Sequence, residues 1–405
     1  MSDDTQFIVL LDTLAKQAQP DFERMAALSG GDAASNARLH AAAESLKEAM
    51  EARSEFSPQY NIFFCGKQLV LDTNFQSMNL LREAVHRGGA DALSWYRNVR
   101  ATRRTPIRIM AEVRGLKITA PHSFSNGVTL HPISEAPGSY RPTRFNNLSA
   151  SSFEELVLTV ASFDVGDVDA GDSEAGHAEY ARISELMRRT VSACVLGGET
   201  SPTLTTTWLE FVDPELQRAE FGFVSMMSKH EGRHAQFPAD ATPETIAWVE
   251  KYVNLPQEVA EHCDVAIERL NLARRRMKPG DQAIDGCICL EALLSGKGGQ
   301  SELTHRVSLR TALLLGRTLQ DRQDIYERVK RFYTLRSKMV HGQVRSAKNT
   351  DGQIATDGLS LCLDALRAII EGGAKPQPEE WELAGGPPQN RYTGNSGLQS
   401  GPEGG

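Results

Sequence analysis

Ile325-Tyr-Glu-Arg-Val-Lys-Arg-Phe-Tyr-Thr-Leu-Arg-Ser-Lys-Met-Val-His-Gly342 is the stretch on which the fold turns. At 100° per residue, Ile325, Val329, Phe332, Met339 and Val340 fall on one stripe, the pattern of a helix that buries one face. Arg336 falls in the middle of that stripe. A guanidinium keeps its charge in any protein, so an arginine on an apolar face needs a carboxylate or a phosphate. Glu291, on the preceding apolar helix, is the candidate partner. His341 follows five residues on, about 140° round a continuous helix from Arg336. The two side chains can share a phosphate within one subunit only where the helix ends at or near His341, and Gly342 is the residue that would end it.

Working outward, the whole region from Pro256 reads as helix. Val259, Cys263, Ala266, Ile267 and Leu270 form one stripe. Pro279-Gly280 breaks the chain, and Asp281 is placed to cap the next helix. That helix is apolar nearly all round (Ile284, Cys287, Ile288, Leu290, Leu293, Leu294), which predicts a central position. Gly296-Lys-Gly-Gly299 reads as a turn, with helices expected at 301–316, 320–340 and 356–371. From Gly372 onward the sequence is rich in Gly, Pro and Gln and reads as a disordered tail, 373–405.

The preceding 255 residues are different. Residues 1–56 read as a helical segment with a Phe7, Leu10, Leu11, Leu14 stripe. Residues 57–255 read as a strand-rich α+β region, with 60–165 mostly strand. Ile107–Val113 alternates, and Asn126-Gly127 signals a hairpin. Leu156–Val160 reads as a buried strand, and Gly166–Gly176 as an acidic loop. The expected fold class is therefore α+β, a mixed strand-rich N-terminal region followed by an all-α helical bundle.

Composition narrows the function. The 405 residues are 40% apolar and carry a net charge of −8. Residues 257–345 reverse the sign, with 16 Lys/Arg against 11 Asp/Glu, which fits a local polyanion site and equally a solvated helical face. No apolar run approaches the length of a membrane span, and the acidic N-terminus lacks the layout of a secretion signal. The six cysteines form no C-x-x-C pair and read as reduced core residues of a cytoplasmic protein.

Three segments in order, Ile284–Leu294, Glu302–Gly316 and Ile325–Gly342, resemble the HEPN superfamily and its Apea-like branch, over about residues 257–372, within a helical domain expected at 256–372. Leu335-Arg-Ser-Lys-Met-Val-His-Gly342 resembles the family's R-x(4–6)-H motif, with polar Ser337 after the arginine. The resemblance implies a helical bundle that dimerises and brings two motifs together. It implies an endoribonuclease that needs no metal or other cofactor, serving as an antiphage effector or a toxin. By position, Arg336 and His341 would be catalytic, with Glu291, Asp285 and Ser337 in support. Lys338, Arg306, Arg274 and Arg275 are the cations expected to hold RNA, and the strand-rich region is the place for a trigger or regulator to bind. Some members of the family only bind nucleic acid or protein, which leaves a non-catalytic module as the alternative.

A competing motif is His230-Glu-Gly-Arg-His234, the H-E-x-x-H spacing of a zinc protease helix. Gly232, Arg233 and Pro238 weaken that reading, and the third ligand would have to be Glu250 or Glu258. Arg274-Arg-Arg-Met-Lys278 also fits a plain role, favourable charge at a helix C-terminus.

Overall fold

A computed structural model describes residues 2–27, 33–56, 61–137, 157–171, 173–220, 227–228, 238–296, 302–340 and 349–387. The chain is α+β. Helices α1 (Asp3–Ala27) and α2 (Ala33–Glu51) pack against each other and on α3 (Thr73–Arg87). Phe7, Leu11 and Leu14 are buried as their spacing predicts. Between them runs the hairpin β1 (Asn61–Phe64) and β2 (Lys67–Val70), turned by Cys65 and Gly66 at φ 50 and 77.

Residues 73–101 are not strand. They form α3 and α4 (Gly89–Ala101), and Asp72 caps α3 by accepting from the backbone N of Phe75. The helical face was masked because it buries polar groups. Gln76 and Asn79 both donate to the carbonyl of Ala219, at 3.1 and 2.9 Å, instead of presenting apolar atoms.

The central sheet has the strand order β5-β6-β7-β3-β8-β9, and all its neighbouring strands are antiparallel. Its strands are β3 (Arg104–Arg114), β5 (His122–Ser123), β6 (Val128–Pro132), β7 (Val157–Asp169), β8 (Thr203–Phe211) and β9 (Met227–Ser228), while β4 (Leu116–Lys117) pairs in parallel with β10 (Ala239–Asp240). The Asn126-Gly127 turn joins β5 to β6 with Gly127 at φ 89, as the sequence predicts. The acidic stretch after Val165 is strand rather than loop as far as Asp169: it pairs with Arg104–Ile107, and Gly166, at φ 79, absorbs a register shift. Ile107, Ile109, Ala111 and Val113 face the main core, and helix α5 (Ser173–Ser192) packs on that sheet with Tyr180, Ile183, Met187 and Val191 buried at helical spacing. A buried 3-10 turn (Ala193–Gly197) and α6 (Pro214–Ala219) complete this half.

The rest is helical: α7 (Pro243–Val253), α8 (Gln257–Arg275), α9 (Pro279–Leu294), α10 (Leu303–Leu315), α11 (Leu319–Val340), α12 (Asn349–Gly372) and α13 (Pro378–Ala384). Helix α9 is central, as expected, and packs on α8, α10, α11 and α12. Its N-cap is Lys278 rather than Asp281: Pro279 takes the first helical position, where its missing N–H costs nothing, and Asp281 sits in the first turn. The 3-10 turn wedges against α7, α8 and α12, so one apolar cluster runs through both halves.

The expectation of disorder from residue 373 fails for the part that is described. Helix α13 buries Trp381 and lays Glu382 on Arg310, Nε to Oε1 2.7 Å. Residues 388–405 lie outside the described residues. All six cysteines are buried and free. Among the described residues no helix is long and apolar enough to cross a membrane.

Candidate functional site

Two glycines set the position of α11. A Cβ on Gly286 of α9 would lie 2.5 Å from the Phe332 ring, and one on Gly358 of α12 would lie 2.3 Å from it. The missing side chains let both helices close on Phe332, which is fully buried. Two turns further, Met339 lies over Gly280, where a Cβ would meet its sulfur at 2.7 Å. These contacts fix the rotation of α11 about its axis. The apolar stripe stops there, because Val340, expected on the buried face, is 62% exposed.

Arg336 lies between Phe332 and Met339 on this fixed helix. Its Nη1 is 3.4 Å from Glu291 Oε1, with the arginine side chain one-third exposed. The predicted pairing is therefore present, but longer than the 2.7–2.9 Å of a strong charge-assisted bond. The Tyr333 hydroxyl donates to the same Glu291 oxygen at 3.1 Å, and the guanidinium carbon stands 5.8 Å from the Tyr333 ring centre. Burial first, then Cys287 and Glu291, raises the Tyr333 pKa, so the phenol stays protonated and remains a donor. Arg336 Nε is shut off from solvent and meets no acceptor among the described residues. The guanidinium is thus anchored on one side by a shared carboxylate, with Nε unmatched among the described residues.

Helix α11 remains helical through Val340. His341 and Gly342 lie outside the described residues, and so does the expected helix break between them. The other predicted residues scatter. Ser337 and Lys338 are exposed on α11. Asp285 is buried on α9 but faces α8, where Arg269 Nη1 reaches it at 3.1 Å and Arg276 Nε at 2.8 Å. It ties α8 to α9 and does not support Arg336; six residues from Glu291, it points about 120° away round α9. Arg306 stands in the first turn of α10. Arg275 donates to Thr203 Oγ1 at 2.8 Å, and Arg274 is partly buried beside α12, so neither belongs to an open basic face.

Tyr333 was missed by sequence reasoning. Its signal was there, three residues before Arg336 on the same face, but an aromatic on an apolar stripe reads first as core. A second feature also escaped notice: His305 Nδ1 lies 2.8 Å from the Tyr326 hydroxyl across α10 and α11, with Lys330 Nζ 5.2 Å from that ring.

The His230–His234 motif lies outside the described residues. Its suggested third ligand Glu250 is engaged elsewhere, accepting from the Ser125 backbone N at 3.2 Å and from Asn254 Nδ2 at 3.0 Å. Among the described residues no group of three metal-ligating side chains gathers. No protein-family model, curated protein or solved structure matches the chain.

Proposed function

We propose that the C-terminal helical half is a HEPN-like domain that cleaves RNA without a metal, through Arg336 and His341. The observation that carries this reading is the state of Arg336: a partly buried guanidinium on a rotationally fixed helix, held at 3.4 Å on one side and with Nε unmet among the described residues. Such a group binds a phosphate in a partly dry site, where its charge is worth more than in water. In the proposed reaction a 2′-hydroxyl attacks the neighbouring phosphorus. An imidazole, which titrates near neutrality, takes the hydroxyl proton or delivers one to the departing 5′-oxygen. The P–O5′ bond breaks as the new P–O2′ bond forms, leaving a 2′,3′-cyclic phosphate and a 5′-hydroxyl. Arg336 balances the charge that builds on the non-bridging oxygens, and Glu291 and Tyr333 hold Arg336 in place. The reading also includes a homodimer through the helical half, a regulator bound by the strand-rich half and a role as a defence effector or toxin; the sequence resemblance supports these.

The second reading is a non-catalytic RNA- or protein-binding module. The Arg336–Glu291 pair favours it, since the guanidinium already has a carboxylate. RNA cleavage in EDTA separates the two. The first reading expects cyclic-phosphate products that disappear in Arg336→Ala and His341→Ala. The second expects intact RNA and salt-sensitive binding.

A further inference from the structure

Among the described residues of the helical half, Tyr326 is the one aromatic that is not buried. Trp248, Tyr252, Phe332, Tyr333 and Trp381 all belong to the core. Tyr326 instead stands between α10 and α11 with part of its surface in solvent. Its hydroxyl lies 2.8 Å from His305 Nδ1, and the two rings meet edge to face with centres 5.8 Å apart. On its own helix, Lys330 places Nζ 5.2 Å from the ring centre. The exposed imidazole thus holds the ring at its hydroxyl end. A π face kept in place and left wet is a surface on which a flat ligand can stack.

Helix α11 leads from that ring to Arg336. At about 100° and 1.5 Å per residue, Lys330 and Ser337 fall within about 40° of Tyr326. Arg336 lies about 15 Å further along the axis and about 80° round. Lys330 and Ser337 are exposed, and the Arg336 side chain is one-third exposed. From Tyr326 to Val340 the helix carries Arg328, Lys330, Arg331, Arg336 and Lys338 against one acid, Glu327. Glu327 meets Lys330 at 3.2 Å, but both side chains are about half exposed, and such a pair is weak enough for a phosphate to replace. Aromatic ring, lysine, hydroxyl and arginine along one side of a helix suit a single nucleic-acid strand: a base stacks on the ring and the cations take the phosphates. The 15 Å corresponds to about four stacked nucleotides at about 3.4 Å each.

We propose that Tyr326, with His305 and Lys330 beside it, is a stacking subsite for an unpaired base of single-stranded RNA whose backbone continues to Arg336. The inference rests on the reading of Arg336 as a phosphate contact; it concerns where the strand lies, not whether it is cut. The base lies on the Tyr326 ring, the Lys330 ammonium moves from that ring to the adjoining phosphate, and His305 keeps the ring from turning. A duplex cannot use the subsite, because its bases are stacked on one another.

The test is fluorescence anisotropy of the full chain with a labelled, 2′-O-methylated single-stranded oligoribonucleotide about ten residues long. The proposed reaction cannot cleave this probe, since it lacks the attacking hydroxyl. The wild type is expected to bind it, and Tyr326→Leu to weaken binding about fivefold or more, the loss of one base stack. Tyr326→Phe keeps the π face, also where the leucine variant does not fold, and weakens binding less. Lys330→Gln lowers the slope of log Kd against log salt by about one. The same strand annealed to its complement should bind wild type and Tyr326→Leu alike. No binding of the single strand, equal affinity of wild type and Tyr326→Leu for it, or an equal loss for strand and duplex overturns the proposal, whatever Arg336→Ala does to cleavage. Weakened binding in Tyr326→Leu together with uncut unmodified RNA in the wild type supports the subsite and removes the catalytic reading.

Discussion

Gly358→Ala is the perturbation that most sharply probes how α11 is held. In an open helix interior the change stabilises by up to about 1 kcal/mol. Here the new methyl group lands 2.3 Å from Phe332 Cδ2 and 2.5 Å from two more ring atoms. The ring is fully buried and cannot swing away. Overpacking of this kind costs about 1–3 kcal/mol, and more where backbone must shift. Gly352→Ala is the internal control, in the same helix with nothing within 4 Å of the new Cβ. The propensity gain is common to both variants, so they should differ by the overpacking cost, roughly 1–3 kcal/mol in urea unfolding, with Gly352→Ala the more stable. Adding Phe332→Leu should recover part of the loss in Gly358→Ala, a coupling of about 1 kcal/mol expected of residues in contact. Equal midpoints for the two alanine variants, or strict additivity in the double variant, refute the close approach that fixes Arg336.

Other outcomes follow from the same contacts. Glu382→Ala takes the carboxylate from Nε of Arg310, which is almost fully buried and whose Nη1 keeps the Leu294 and Ser295 carbonyls. Because Glu382 is one-third exposed, the expected cost is discounted to about 1–3 kcal/mol in thermal or chemical unfolding, and a loss near zero contradicts the docking of α13. Asp285→Asn should destabilise by roughly 1–3 kcal/mol while sparing any activity carried by Arg336; selective loss of activity would return Asp285 to the site. Asp4, hydrogen-bonded by Arg97 and Arg53, has its pKa lowered to about 2. Its contribution to stability is present above the unfolded value near 3.8 and is lost as pH falls toward 2. Acid unfolding followed by circular dichroism should show Asp4→Asn with a flatter profile in that window, and an unchanged profile contradicts the assignment.

The helical half was legible because its helices bury plain apolar stripes, and α8 to α12 appear close to where the periodicity puts them. Helix α3 was not, since Gln76, Asn79 and Glu83 occupy buried positions that a hydrophobic pattern assigns to solvent. Gln76 and Asn79 donate to a carbonyl about 140 residues away. Arg310 and Trp381 illustrate the same limit: their helices pack on each other, and neither segment announces its partner. At the site, the Arg336–Glu291 pair could be read from a charge on an apolar face. The false support assigned to Asp285 came from treating one helix as one face, when α9 presents Asp285 to α8 and Glu291 to α11. Arg274 looked like part of an exposed basic run because run composition carries no information about burial.

The central claim meets its most direct test in a single measurement: RNA cleavage by the purified chain in EDTA, comparing wild type with Arg336→Ala after both are shown to melt alike. The account predicts cyclic-phosphate products from the wild type and a rate reduced about 10²- to 10³-fold in the variant, the loss expected when a group stabilising transition-state charge is removed. Intact RNA with the wild type, or equal cleavage by both proteins, would contradict it.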